Sequence, residues 1–282
     1  MIQDDFSHQQ LYEALKTCAS LPEVKIEVMK NHDDNQWWPI ALADWRLRLV
    51  VAGWSTRVSY QMISTYRSVV KNVDTLGYEQ ICSMQDKDIE ILVGSLGLAH
   101  TRITYFRSVQ QFLERTDLSK SMIDETENDT LISQFAEQVK GAGYKVAQCA
   151  ILYAKGYHCG IFPVDSGMKD MLGPCLGLNL PRGPIAHEVM RKQIEHLLQD
   201  HAGDYYDLAQ SLGYEQLALP QDRPPVWWAH LALIYFKRRY CNAHHPETCP
   251  LRSSQFLASS LGTMCDRSHP QRGGWLNAQC SR

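Results

Sequence analysis

A lysine and an aspartate, twenty residues apart, are the side chains best suited to carry chemistry. Lys145 closely follows the run Gly141-Ala142-Gly143, and Asp165 follows Val164. Two glycines this close can form a tight hairpin, because glycine accepts positive φ angles and lets the backbone approach a ligand. The apolar run behind the hairpin predicts a helix, whose first amide groups can bind an anion such as a nucleic-acid phosphate. The spacing therefore predicts an amine and a carboxylate that face one substrate at a phosphate-binding turn.

The elements that must position these two residues are helices. Apolar residues recur at spacings of three and four through most of the chain, and the alternation typical of strands is scarce. Glycine and proline fall where the predicted helices end, for example at Gly97, Gly156 and Pro184. Asp165 and Ser166 precede another helical pattern and are typical of a helix N-cap. We therefore predict an all-α protein.

The composition is that of a globular protein with one large or two modest domains: 282 residues, 44% hydrophobic and 21% charged. No apolar run approaches the roughly 20 residues needed to span a bilayer, and the first residues resemble neither a signal peptide nor a mitochondrial presequence. We expect a cytoplasmic, nucleoid-associated monomer with no membrane contact. The net charge of −3 counts against nucleic-acid binding, but residues 237–282 contain seven basic and two acidic side chains. They form either a local basic face or a solvated tail.

Several motifs, in their order along the chain, resemble those of the helix-hairpin-helix DNA glycosylases, and within them the endonuclease III type. The family's hairpin, Leu-Pro-Gly-Val-Gly-x-Lys-Thr-Ala, is similar to residues 139–147, and its Val-Asp-Thr-His turn is similar to residues 164–167. Three further segments resemble the family's early helix and turn, its Gly-Leu wedge loop, and the helix before its cluster loop: residues 49–59, 96–102 and 227–241. The resemblance covers about residues 42–250.

The resemblance implies two helical lobes with the active site in the cleft between them. A six-helix barrel that carries the hairpin is expected over residues 45–158. The second lobe is expected from residues 1–44 and 159–250, with residues 251–282 as a C-terminal extension. Lys145 and Asp165 are then expected on opposite lips of the cleft.

The resemblance also implies base excision from double-stranded DNA that contains a damaged or modified base. Lys145 is expected to attack C1′ as an amine nucleophile, which gives a Schiff base and apurinic/apyrimidinic (AP) lyase activity. Asp165 is expected to stabilise the positive charge that develops on the sugar and to assist deprotonation of the lysine. Which base is removed stays open, because the positions that read the substrate depart from the family pattern.

DNA contacts are expected from the hairpin and from the two upstream segments: Gly141, Gly143, Lys140, Trp54, Leu98 and Arg102. Lys140 replaces the family's hairpin proline and can add a phosphate contact. Trp54 aligns with a glutamine that fills the gap left by the flipped base, so it either stacks in that gap or belongs to the core. Leu98 is the expected wedge. The family's histidine after the aspartate is Gly167 here, and His187 is expected to face solvent.

The cysteines raise the question of a metal. Nine cysteines without a secretory signal argue against a disulfide framework. The family's cluster pattern is Cys-x6-Cys-x2-Cys-x5-Cys, whereas this chain has Cys241-x7-Cys249 and then Arg252 in the third place. Either Cys265 and Cys280 fold back to complete an iron–sulfur set, or a zinc site forms with the nearby His244, His245 and His269. The pattern favours a degenerate loop that has lost its cluster, and no cofactor is firmly predicted.

Other classes of function compete with this interpretation. A non-catalytic helix-hairpin-helix module would bind DNA without using Lys145 or Asp165. A glycosylase that acts on RNA or on a free nucleoside would bind duplex DNA weakly and with little salt dependence. A structural all-α protein without a nucleic-acid role is disfavoured by the ordered series of motifs.

Overall fold

The computed structural model describes residues 7–33, 42–241 and 249–253, and every regular element in these ranges is helical. The predicted all-α class is therefore confirmed. The α-helices in these ranges are α1 (His8–Ser20), α2 (Pro22–Asn31), α3 (Trp45–Trp54), α4 (Ile63–Leu76), α5 (Tyr78–Ser83), α6 (Asp86–Val93), α7 (Ala99–Thr116), α8 (Lys120–Glu125), α9 (Asn128–Gln138), α10 (Tyr144–Lys155), α11 (Gly173–Cys175), α12 (Ile185–Asp200), α13 (Ala202–Ser211) and α14 (Val226–Tyr240). A π-helical turn, Met168–Leu172, leads into α11, and 3₁₀ turns occupy Tyr60–Met62, Gly94–Leu96 and Pro250–Ser253.

Local sequence signals set the ends of these helices. α1 begins with a capping box, in which Ser7 Oγ accepts from the Gln10 amide at 3.3 Å and the Gln10 side chain accepts from the Ser7 amide at 2.8 Å. α2 has Pro22 at its first position, where the missing amide proton costs nothing. α10 ends at Gly156, whose φ of +107° favours glycine.

The helices pack in two groups. Helices α3, α4, α6, α7, α9 and α10 contact mainly one another, and α10 contacts both α3 and α9. In the second group, α1, α2 and α14 contact one another, and the π-helical turn packs on α12 and α14. Contacts between α10 and α12 join the two groups. This grouping follows the expected lobes, whose boundaries stay a prediction.

One continuous hydrophobic core runs through both groups. Phe106 and Phe112 of α7 and Trp227 and Trp228 of α14 are buried in it. Tyr157, just after α10, stacks on Trp227 with ring centroids 4.7 Å apart, so the C-terminal end of α10 is fixed against α14. None of the helices described is both long enough and apolar enough to cross a membrane.

Candidate active site

The predicted hairpin connects α9 to α10. Gly141 has a φ of +85°, in the left-handed region that favours glycine. The Ala142 amide donates to the Val139 carbonyl at 3.0 Å and closes the turn. The carbonyl of Gly143 accepts the Ala147 amide at 3.0 Å, so α10 starts directly behind the turn. The first amide groups of α10 therefore lie at the hairpin without an acceptor in the helix, where they can bind a phosphate.

Asp165 caps the helical segment that leads into α11. Its Oδ1 accepts the Met168 amide at 2.6 Å, and its carbonyl accepts the Lys169 amide at 3.0 Å. The predicted N-cap is thus confirmed. Its other carboxylate oxygen, Oδ2, lies 3.5 Å from Nζ of Lys237 on α14. One carboxylate oxygen therefore caps a helix while the other pairs with an ammonium group.

The charges around Asp165 keep it ionised. Burial raises the pKa of its carboxyl, but this is outweighed by groups that lower it, which are, in order of size, Lys237, the Met168 amide, Lys145 and Arg238. The pKa of Asp165 lies below its ordinary value of 3.8, so it is an anion at neutral pH. Lys145 is half-buried on the first turn of α10. Its charge is among those that lower the pKa of Asp165, whereas the ion pair of Asp165 is formed with Lys237.

A buried glutamine holds the two elements of this pair in register. Gln148 lies one turn after Lys145 on α10 and is fully buried. Its Oε1 accepts the amide of Val164 at 3.0 Å, and its Nε2 donates to Glu188 of α12 at 3.0 Å. Since Val164 directly precedes Asp165, this side chain links the helix that carries Lys145 to the segment that carries Asp165.

Polar residues of α12 support the same segment from the other side. The Nδ1 atom of His187 lies 2.9 Å from the Val164 carbonyl, and its side chain is buried, so its expected exposure to solvent is wrong. Glu195 accepts the Phe162 amide at 2.7 Å and pairs with the fully buried Arg191 at 2.5 Å. Burial raises the pKa of Glu195 to about 7, although Arg191 and the Phe162 amide lower it. The backbone that leads to Asp165 is therefore held by buried groups at two points.

Lys237 is a site residue that the sequence analysis did not single out. It counted there only as one of the basic residues near the C-terminus. In the structure its ammonium pairs with Asp165, and a β-carbon at Gly167 would overlap the end of its side chain. The glycine that stands in place of the family's histidine therefore leaves room for this lysine. In the sequence, the feature that could have indicated Lys237 is Gly167, a glycine beside the aspartate at the position where the family has a histidine.

Four of the predicted DNA contacts lie at the surface. Lys140, Gly141 and Gly143 are exposed at the hairpin. Leu98 is 48% exposed and has a φ of +51°, so a strained turn presents an apolar side chain to solvent. This placement is compatible with the expected contacts, which stay predictions.

The other two predicted DNA contacts are inside the protein. Trp54 is fully buried and its Nε1 donates to the Arg102 carbonyl at 3.1 Å, so the structure selects the core alternative for this residue. Arg102 requires a correction, because its side chain is buried too. Its guanidinium donates to the carbonyl of Trp54, to Thr56 at 3.2 Å, to Leu96 at 3.0 Å and to Gly97 at 2.8 Å. With its donors engaged in this way, Arg102 supports the turn before α7 from within and is not placed to contact DNA.

The predicted metal ligands fall only partly within the described residues. Cys241 follows α14 and Cys249 precedes the last 3₁₀ turn, and both are partly buried. The remaining candidates lie outside the described residues: Cys265, Cys280, His244, His245 and His269. Within the described ranges, one group of three side chains has its ligand atoms within 4.8 Å of one another: His8, His201 and Asp204. The sequence did not indicate that group, because α1 and α13 meet only in the folded chain.

Comparison with known proteins shows the class of fold. No family model matches the sequence, and a search of curated protein sequences returned no significant match. Among solved structures, the fold is similar to that of a 3-methyladenine DNA glycosylase. The crystal structure of H. pylori 3-methyladenine DNA glycosylase (MagIII), bound to 1,N6-ethenoadenine, matches with a TM-score of 0.51. The match covers 81% of this chain and 97% of that chain at 15% sequence identity, so it establishes the fold.

Proposed function

We propose that the chain is a DNA glycosylase that removes a damaged or modified base from double-stranded DNA and then cleaves the strand as an AP lyase. The observation that supports this proposal most strongly is the hydrogen bond by which Gln148, one turn after Lys145, joins the hairpin helix to the segment of Asp165. Lys145 and Asp165 come from the hairpin helix and the next helical segment, and Gln148 links their backbones. This pair stands in a helix-hairpin-helix glycosylase fold, at the contact between its two groups of helices.

The chemistry begins with the carboxylate. When the bond between the base and C1′ breaks, positive charge develops on the sugar, and the Asp165 anion stabilises it. The lone pair of Lys145 Nζ forms a new bond to C1′ as the base leaves with the bonding electrons and takes up a proton. Opening of the sugar ring gives a Schiff base between Lys145 and C1′. Loss of a proton from C2′ then expels the 3′ phosphate, which cleaves the strand.

The exposed residues of the hairpin and of the turn before α7 support a DNA substrate. The α10 amide groups and the exposed Lys140 can bind the backbone phosphate beside the flipped nucleotide. Leu98 can insert where the base has left, because an exposed apolar side chain on a rigid turn fits an unstacked base step. The similar H. pylori protein is named for 3-methyladenine and holds 1,N6-ethenoadenine. Modified adenines are therefore the first substrates to test.

A second candidate is a hydrolytic glycosylase without lyase activity. Lys237 forms a direct ion pair with Asp165 and lowers the pKa of its carboxyl more than Lys145 does. In this case Asp165 stabilises the sugar cation and orients a water molecule that attacks C1′. The two candidates differ in whether an amine becomes covalently attached to the sugar.

Borohydride trapping on a duplex with one abasic site tests the proposal. We expect a covalent adduct with the native chain and with Lys237→Gln, and none with Lys145→Gln. An adduct that disappears only in Lys237→Gln would assign the nucleophile to Lys237. Absence of any adduct, together with release of a modified base, would select the hydrolytic candidate.

Base release is measured on duplexes that each contain one modified base, 1,N6-ethenoadenine among them. Asp165→Asn should slow release by about 10²–10³-fold, which is what one transition-state electrostatic group typically contributes. Full activity of Asp165→Asn would contradict this assignment of the site. If neither base release nor trapping occurs while duplex binding is strong, the chain is a non-catalytic binding module. Weak binding with little salt dependence would instead indicate an RNA or nucleoside substrate.

A further inference from the structure

Two histidines and an aspartate from distant parts of the sequence meet where α1 begins. His8 is the first residue of α1, His201 connects α12 to α13, and Asp204 lies in the first turn of α13. Nε2 of His8 lies 3.5 Å from Oδ2 of Asp204, and Nδ1 of His201 lies 3.6 Å from the same oxygen. Folding therefore places two imidazole nitrogens around one carboxylate oxygen.

Two tyrosine rings hold the His8 side chain in place. The ring of His8 makes edge contacts with Tyr12 of α1 and Tyr205 of α13, at centroid distances of 5.9 Å and 5.4 Å. Tyr205 is fully buried, and its hydroxyl donates to the His8 carbonyl at 3.5 Å. The position of His8 is thus set by packing, and a ligand that binds there does not have to order it.

The His8 ring also has an atom that the fold leaves unsatisfied. Nε2 of His8 is buried and makes no hydrogen bond with the described residues, even though the Asp204 carboxylate is 3.5 Å away. Such buried polar atoms are rare in folded proteins, and an unmodelled ion is one reason for them. Burial and the nearby His201 lower the pKa of His8, although Asp204 raises it, so the ring is neutral at pH 7. Neutral imidazole is the form that coordinates metal ions.

We propose that His8, His201 and Asp204 bind one zinc ion. Zinc takes imidazole nitrogen at about 2.0–2.1 Å and carboxylate oxygen at about 2.0–2.2 Å, usually in tetrahedral geometry. Two ligand atoms at neighbouring corners of such a tetrahedron are therefore about 3.4 Å apart. The distances of 3.5 Å and 3.6 Å from Asp204 to the two rings are close to this value, and all three ligand atoms lie within 4.8 Å of one another. Since Asp204 is exposed, water can take the fourth position.

One ring must turn for both nitrogens to face the same ion. The lone pair of an imidazole nitrogen lies in the ring plane, and the rings of His8 and His201 are stacked 3.7 Å apart with their planes within 13° of parallel. The His201 ring is the one free to turn, because its side chain is 40% exposed, against 25% for His8. Zinc binding would therefore replace the ring stacking with coordination.

The bound ion would join the start of α1 to the junction of α12 and α13. It would thereby stabilise the packing of the N-terminal helix on the second group of helices. The site shares no residue with the proposed glycosylase site around Lys145 and Asp165. Its test uses metal binding and thermal unfolding and not catalysis, so it stands or falls independently of the proposed function.

Zinc titration of the full chain, with any affinity tag removed, tests the proposal. We expect calorimetry to give one zinc per chain, and zinc at about 100 times its Kd to raise Tm by roughly 5 °C. His8→Gln, His201→Gln and Asp204→Asn should each weaken binding by about tenfold or more and abolish the rise in Tm.

The matched control is His196→Gln. His196 lies on α12 and pairs with Asp200 at 3.3 Å, but it is part of no three-ligand group in the described ranges. This variant should bind zinc like the native chain. Circular dichroism without zinc shows whether the variants are folded. If His8→Gln loses helix content, Asp204→Asn decides, because it is isosteric and changes an exposed side chain.

Cobalt(II) distinguishes this site from one built on the cysteines. Nitrogen and oxygen ligands give Co²⁺ only weak visible bands, whereas thiolates, which are softer ligands, add an intense charge-transfer band in the near ultraviolet. We expect the visible bands alone. A charge-transfer band that persists in His8→Gln would show that thiols hold the ion and would overturn the inference. Unchanged zinc affinity in all three ligand variants, or no binding at submillimolar zinc, would overturn it as well.

Discussion

Replacement of Gln148 by leucine should uncouple the two proposed catalytic residues while leaving both in the chain. Leucine has a similar volume but cannot accept the Val164 amide, whose present hydrogen bond is 3.0 Å long. A buried donor left without an acceptor costs about 1–3 kcal/mol, and loss of the bond to the Glu188 carboxylate costs about 1.5–3 kcal/mol more. We therefore expect the free energy of unfolding to fall by roughly 2.5–6 kcal/mol. This is tolerable for a domain of typical stability, about 5–15 kcal/mol.

The effect on chemistry should be larger than the effect on folding. With the hydrogen bond gone, the backbone at Val164 can move away from α10, and a displacement of about 1 Å at a reacting centre can cost about 10²-fold in rate. Urea unfolding measures the stability, and single-turnover borohydride trapping, at a temperature where the variant is fully folded, measures the chemistry. The control is Gln134→Leu, which changes an exposed glutamine in the middle of α9 and should alter neither quantity. Wild-type trapping rates in Gln148→Leu would refute the argument that this side chain sets the geometry of the pair.

Two further predictions concern stability. Gly53→Ala should destabilise the fold by about 1–3 kcal/mol, because a β-carbon at that position would overlap the Tyr105 ring. The control is Gly94→Ala, which should not destabilise the fold, because a β-carbon there meets nothing within 4 Å. Equal urea midpoints for the two variants would contradict this prediction. The pKa of Glu195 is raised from 4.5 to about 7 in the folded state, so its contribution to the free energy of unfolding is fully present below 4.5 and is lost as the pH rises through about 7. Glu195→Gln should remove this pH dependence, and an unchanged slope of stability against pH in that variant would show that another group titrates.

The parts of the site that could be predicted from the sequence are the parts set by local rules. The hairpin needs glycine at a positive φ, and Gly141 has it. The Asp165 cap needs a short acceptor side chain just before a helical pattern, and its bond to the Met168 amide shows it. Both features depend on neighbours within a few residues, so the chain itself carries enough information to place them.

The errors concern residues whose environment is made by distant segments. Arg102 has the composition of a phosphate contact, but four carbonyl groups from two separate turns surround its guanidinium. His187 has the helical spacing of an exposed residue, but the Val164 carbonyl lies within hydrogen-bonding distance. The carbonyls of Trp54 and Thr56 lie far in sequence from Arg102, and the Val164 carbonyl lies far from His187. Hydrophobic periodicity contains no information about which carbonyl groups a fold leaves without donors.

Two lysines, Lys237 and Lys145, can divide between them two roles that require opposite protonation states. A lysine that pairs with a carboxylate must be protonated to stabilise the anion, whereas a lysine that attacks C1′ must be unprotonated when it does so. In the structure, the ion pair belongs to Lys237, at 3.5 Å, and this lysine is the largest of the influences that lower the pKa of Asp165. Lys145 sits instead on the hairpin helix, where the sugar and its phosphate would arrive. Under the proposed function, Lys237 supplies the ion pair of the aspartate, and Lys145 is left as the amine that attacks C1′.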